Sequence, residues 1–174
     1  MINLQHANLY YSYKWPLCLM KKMNLKKQTI SEYLQTTDNN KLKISKHFRE
    51  VKYKRSRIPG VERQKDLWLG ANCQVYAYEF LKEFNRIIPN FRSKELWEDH
   101  IYTKKIEKDF LEFDIMLYNI KNESFGAHIG LYLGENKVLH LSKDNKTPMI
   151  ESHESLLSQE KYRYFIGAKR VIKF

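Results

Sequence analysis

The apolar period of this chain changes once, and that change narrows the folds open to it. From Cys73, apolar residues recur at Ala77, Phe80, Leu81 and Phe84, which is helical spacing. Asn72 stands where a helix N-cap is wanted, and Pro89 marks the end of the connection that follows. Ser93 can cap a second helix, predicted from Lys94 to about Thr103. After that the pattern is one of short strands between turn signals: Ile115–Tyr118, Ile129–Leu133, Val138–Leu141 and Tyr164–Ala168. Ser152 to Glu160 reads as one more short helix before the last strand. Helices followed by a run of strands predict an α+β fold, with an antiparallel sheet packed on the Cys73 helix.

The first third is of a different character. Residues 1–22 show no clear period, and Met23 offers a second candidate start. Thr29-Ile-Ser-Glu32 has capping-box spacing and predicts a short helix to Thr37. Asp38, Asn39 and Asn40 form a turn signal, and Lys41–Lys54 is a basic segment compatible with a further helix. Ile58-Pro59-Gly60 punctuates the chain. The expected division is therefore a basic N-terminal extension, 1–58, partly helical or disordered, followed by the main folded domain, 59–174.

Charge follows the same division. Residues 1–60 hold thirteen Lys/Arg against three Asp/Glu, whereas residues 61–174 hold eighteen against seventeen. A basic arm of this kind is either a solvated face or a contact for an anionic polymer such as nucleic acid, lipid headgroups or an acidic wall polymer. It lacks the interleaved aromatics and zinc spacing of a nucleic-acid module. Hydrophobic residues make up 43% of the chain, which excludes wholesale disorder. No apolar run is long enough for a membrane span. The patch Trp15–Met20 is shorter than a secretory core and has no small-residue cleavage site, so the expected location is cytoplasmic, with export by a non-signal route as the alternative. Two cysteines, Cys18 and Cys73, argue against a disulfide framework. No cofactor and no metal is expected.

Cys73 has two readings. Free cysteines are usually small core residues. A cysteine on the first turn of a helix, however, lies beside free backbone N–H groups and the positive end of the macrodipole, which favour thiolate and supply donors for an oxyanion. A base must then be found. Of six histidines, His128 and His140 lie on the two strands of one hairpin, HIGLYLGENKVLHL. Ala127, Ile129, Leu131 and Leu133 would share one face of the first strand, and His128, Gly130 and Tyr132 the other. A three-residue loop, Gly134-Glu135-Asn136, would set His140 opposite Gly130 and diagonal to His128 on the same face. A two-residue loop would put the histidines on opposite faces. In the first case Cys73, His128 and His140 form a nucleophile, a general base and an orienting residue.

From about residue 70 to the C-terminus, the chain resembles the NlpC/P60 family of papain-like cysteine peptidases. NCQVYAYEFL resembles that family's nucleophile helix and LEFDIMLYN, residues 111–119, its Gly-Asp-led strand. HIGLYLGENKVLHLS resembles its base strand, turn and terminal His, with the histidines twelve positions apart, and YFIGAKRVI resembles its closing strand. The resemblance implies cleavage of an amide bond in peptidoglycan-type peptides through a thioester on Cys73, with His128 as base and His140 orienting it. It implies a structural role for Asp114. An acyltransferase or deamidase using the same three residues, or a non-catalytic binding module, are the alternatives. The family usually has Asp-Cys-Ser where this chain has Asn72-Cys73-Gln74. It also tends to place a Tyr about a dozen residues before the Cys, where PGVERQKDLWLGAN has none, leaving Gln64, Trp68 and the more distant Tyr53 as candidates.

Overall fold

Six antiparallel strands order the molecule, and the run of strands legible in the sequence supplies four of them. A computed structural model describes residues 35–36, 42–43, 46–61 and 66–173. In chain order these hold β1 (Gln35–Thr36), β2 (Leu42–Lys43), α1 (Lys46–Arg49), α2 (Cys73–Lys82) and α3 (Ser93–Glu98). There follow β3 (Thr103–Ile106), β4 (Ile115–Asn119), β5 (His128–Tyr132), β6 (Lys137–Leu141), β7 (Pro148–Ser152), α4 (His153–Leu157) and β8 (Tyr164–Val171). Single 3-10 turns occupy Leu67–Leu69 and Glu160–Tyr162. The large sheet has the order β3-β8-β4-β5-β6-β7, while β1 and β2 form a separate two-residue ladder. The fold is α+β, with the Cys73 helix packed on an antiparallel sheet.

Alternation along the strands builds two cores, one on each face of the sheet. Ile115 and Leu117 of β4, Ile129 and Leu131 of β5, and Leu139 and Leu141 of β6 pack with Val75, Tyr76, Ala77, Phe80 and Leu81 of α2. Met116, Tyr118, Val138 and Ala168 point to the opposite face, where Leu156 of α4 and Tyr162 cover them. Burying a Leu, Ile or Phe side chain stabilises by about 1.5–3 kcal/mol, so the first core supplies most of the drive that seats α2. Phe48 and Val51 belong to that same core, and Tyr53 makes a parallel bridge to Ala71. Packing therefore begins on the N-terminal side of Ile58.

Several expectations are corrected. The helix predicted over Lys94–Thr103 stops at Glu98 because the Asp99 carboxylate accepts hydrogen bonds from the amides of Ile101, Tyr102 and Thr103 and from the Thr103 hydroxyl. That turn redirects the chain into β3. The helix predicted over Ser152–Glu160 is capped by Ser152, whose hydroxyl accepts from the Ser155 amide, but it runs only to Leu157 before the 3-10 turn. The helix predicted over Thr29–Thr37 lies outside the described residues except for Gln35 and Thr36, which are extended. Within Lys41–Lys54 the helix is confined to Lys46–Arg49. Cys18 and His6 also lie outside the described residues.

Candidate active site

Cys73 is the first residue of α2, and the Asn72 side chain caps it by accepting from the Val75 amide at 2.8 Å. The side chain is buried, as the core reading anticipates, yet it also lines a cleft of about 290 Å³. His128, Tyr53, Tyr162, Arg55 and Asn119 line the same cleft. The backbone amides of Ile129, Gln74 and Cys73 itself hydrogen-bond toward the sulfur and draw its pKa down, but burial is the larger effect and pushes the thiol up to about 11. The acidic shift expected from the helix N-terminus is thus overturned by desolvation.

The hairpin has the three-residue loop. Leu133 N–H donates to the Lys137 carbonyl, Gly130 stands opposite His140, and Gly134, Glu135 and Asn136 all have positive φ. His128 and His140 therefore share a face, with His128 Nε2 2.9 Å from His140 Nδ1 and the rings nearly perpendicular at 88°. Both are buried. Burial, then His140 and Lys161, hold the His128 imidazole well below its ordinary range. Tyr162 stacks on His128 with ring centroids 4.4 Å apart.

Two groups here were not anticipated. His140 Nε2 lies 2.9 Å from Glu151 Oε1, and Glu151 comes from β7, a strand the pattern reading missed. The signal was present in Met149-Ile150-Glu151, where Ile150 packs toward α2 and its neighbours alternate away. Tyr162 comes from a single 3-10 turn, which leaves no periodic signature.

Of the three candidates for the position upstream of the cysteine, Tyr53 reaches the cleft. Its phenol pKa is raised by burial and then by nearness to Cys73, with Arg55 acting in the opposite sense. Trp68 is 79% exposed and lines a different, larger cleft with Glu79 and Glu83, and Gln64 lies outside the described residues. Gln74 is committed elsewhere, its amide donating to the Tyr78 hydroxyl and the Phe91 carbonyl. Asp114 is fully buried and holds Arg170 through two hydrogen bonds of 2.7 Å, away from the cleft. His153 bonds Tyr118, and His47 and His100 are exposed. Among the described residues no cluster of His, Cys, Asp or Glu could hold a metal ion, and no helix is long and apolar enough to cross a membrane. One cleft thus combines a thiol, an imidazole and amide donors, the components of acyl transfer through a thioester.

The chain is structurally similar to NlpC/P60 proteins. An NlpC/P60 family protein from Bacillus cereus ATCC 10987 shares 17% identity at a TM-score of 0.47, over 61% of this chain and 33% of that one. NlpC2 from Trichomonas vaginalis shares 15% at 0.48, over 71% and 42%. The P60 domain of an M. avium subspecies paratuberculosis antigen shares 16% at 0.47, over 73% and 88%. The chain thus spans about a third and about two-fifths of the length of the first two. No protein-family model matches it, and no curated protein does.

Proposed function

We propose that this protein is a cysteine hydrolase that cleaves an amide bond through a thioester on Cys73. The observation that carries the reading is the meeting of Cys73, at the head of α2, with His128 in one cleft while His128 is hydrogen-bonded to His140. Burial disfavours charge on both reacting groups, so in this reading proton transfer accompanies attack. As Sγ bonds to the carbonyl carbon, His128 takes the thiol proton, then returns it to the leaving amine as the C–N bond breaks. His128 then activates the water that resolves the thioester. His140 holds the ring in place. The backbone N–H groups of Cys73 and Gln74, with the Tyr53 phenol nearby, would serve the oxyanion.

Peptidoglycan-type peptides are the proposed substrate, on the strength of the sequence resemblance. We assign the catalytic unit to residues from Lys46 onward, because Phe48 and Val51 share its core and Tyr53 lines its cleft. The basic residues ahead of it are proposed to contact an anionic polymer. The test is mass analysis of a peptidoglycan digest treated with wild-type protein, Cys73→Ala and His128→Ala, with and without an added amine. New peptide termini from wild type alone support hydrolysis, and amine adducts would reassign the chemistry to acyl transfer. No cleavage and no adduct under any condition would overturn the enzyme reading in favour of a binding module.

A further inference from the structure

The interactions on the far side of His140 decide which nitrogen of His128 is the base. Across β6 and β7, His140 pairs with Met149, so Glu151 lies on the same face, two residues along. Glu151 Oε1 meets His140 Nε2 at 2.9 Å, while Oε2 accepts from Gln159 Nε2 at 2.7 Å and from the Ser155 hydroxyl at 3.2 Å. The His140 hydrogen bond, against a smaller opposing effect of burial, keeps this carboxyl below its ordinary range, so it is ionised at neutral pH. An ionised carboxylate only accepts.

The rest follows by counting protons. His140 Nε2 must carry the hydrogen it gives to Glu151. With His140 as the neutral imidazole, which has one donor and one acceptor, its Nδ1 accepts. The 2.9 Å contact then requires His128 Nε2 to donate. We propose that Glu151 is a positioning residue of this site: through His140 it selects the Nε2–H tautomer of His128, leaving His128 Nδ1 as the nitrogen that receives the Cys73 proton. When that proton arrives, His128 becomes a cation whose Nε2–H still points at His140, and the Glu151 carboxylate is its counter-charge one ring away. No further reactant is needed, since the proton leaves with the amine.

The role in turnover rests on the cysteine-hydrolase reading; the tautomer assignment stands apart from it, and the experiment separates the two. Imidazole 15N spectra of the labelled full chain report each ring nitrogen directly. The expected spectrum shows protonated Nε2 and unprotonated Nδ1 on both His128 and His140. Glu151→Ala should populate the Nδ1–H forms of both rings and lower kcat about 100- to 10,000-fold with KM nearly unchanged, because a wrong tautomer removes the base without removing the binding site. Glu151→Gln, whose amide oxygen still accepts, should restore the wild-type tautomer and most of the rate. A doubly protonated His140 in wild type, or unchanged tautomers in Glu151→Ala, would overturn the proposal. If Glu151→Ala does not fold, Glu151→Met keeps the side-chain volume without the carboxylate acceptor, and wild-type tautomers in that variant would overturn the proposal equally. Absence of turnover by wild type, with the expected spectra, would refute the hydrolase reading alone.

Discussion

Gly130 stands directly opposite His140 across the β5–β6 hairpin, and the space it leaves is already taken. A Cβ at this position would lie 2.4 Å from Val138 Cγ1 and 3.5 Å from His140 Cβ. Valine is stiff at χ1 and cannot swing clear cheaply. Gly130→Ala should cost about 1–3 kcal/mol as overpacking and should displace His140 from His128. The urea midpoint gives the first effect and kcat the second. A variant with full activity would show that the hairpin absorbs the methyl group by shifting as a unit.

The resting thiol should titrate high. With Cys73 pushed to about 11 by burial, alkylation by iodoacetamide should be slow at neutral pH and rise through the alkaline range. Its inflection should lie above the free-thiol value of about 8.5. The urea-unfolded chain serves as the reference. An inflection below pH 7 would mean that Cys73 and His128 rest as a thiolate–imidazolium pair, which the balance of burial and amide donors here does not favour.

His128 should make the protein acid-labile. Its folded pKa lies well below 6.5, so below that pH the unfolded chain binds a proton that the native state refuses. Stability is fully present above about pH 6.5 and falls as pH drops toward the folded pKa, by about 1.4 kcal/mol per unit of depression. His153, also lowered by burial, adds in the same direction. Urea midpoints measured from pH 7.5 to 4.5 should fall less steeply in His128→Phe than in wild type. Equal slopes would remove His128 as the cause.

Asp114 and Arg170 should be among the more costly residues to truncate outside the cleft. The carboxylate is wholly buried and bound by the guanidinium at 2.7 Å through both oxygens, and it also accepts from the Leu111 amide. Removing one partner strands a buried charge, at about 3–5 kcal/mol. Arg170→Ala should therefore lower the denaturant midpoint sharply, and an Asp114→Asn, Arg170→Met double variant should recover part of the loss. Additive losses would show that the two residues act independently.

Central structure was legible in the sequence and peripheral structure was not, for a physical reason. β4, β5, β6 and β8 have packed neighbours on both faces, so their apolar residues leave a clear trace. β3 and β7 are the two edges of the sheet. Thr103-Lys-Lys-Ile carries two exposed lysines, and Pro148 opens β7 at the one kind of strand that tolerates it. The histidine pair was readable because a three-residue loop fixes strand parity. Glu151 was not, because it belongs to an unrecognised edge strand. The direction of the Cys73 shift is not legible locally, because helix position is a local property whereas burial depends on β5 arriving from more than fifty residues away.

Sheet order also constrains how the molecule is made. β8 follows every other strand in the chain, yet it sits between β3 and β4. β4, β5 and β6 each pair with the next strand in the chain, but among the described residues the only partner of β3 is β8. Asp114 likewise gains its cation only when β8 docks, because Arg170 lies on that strand. The histidine hairpin is thus a local unit, whereas the sheet that anchors it closes only when β8 inserts between β3 and β4.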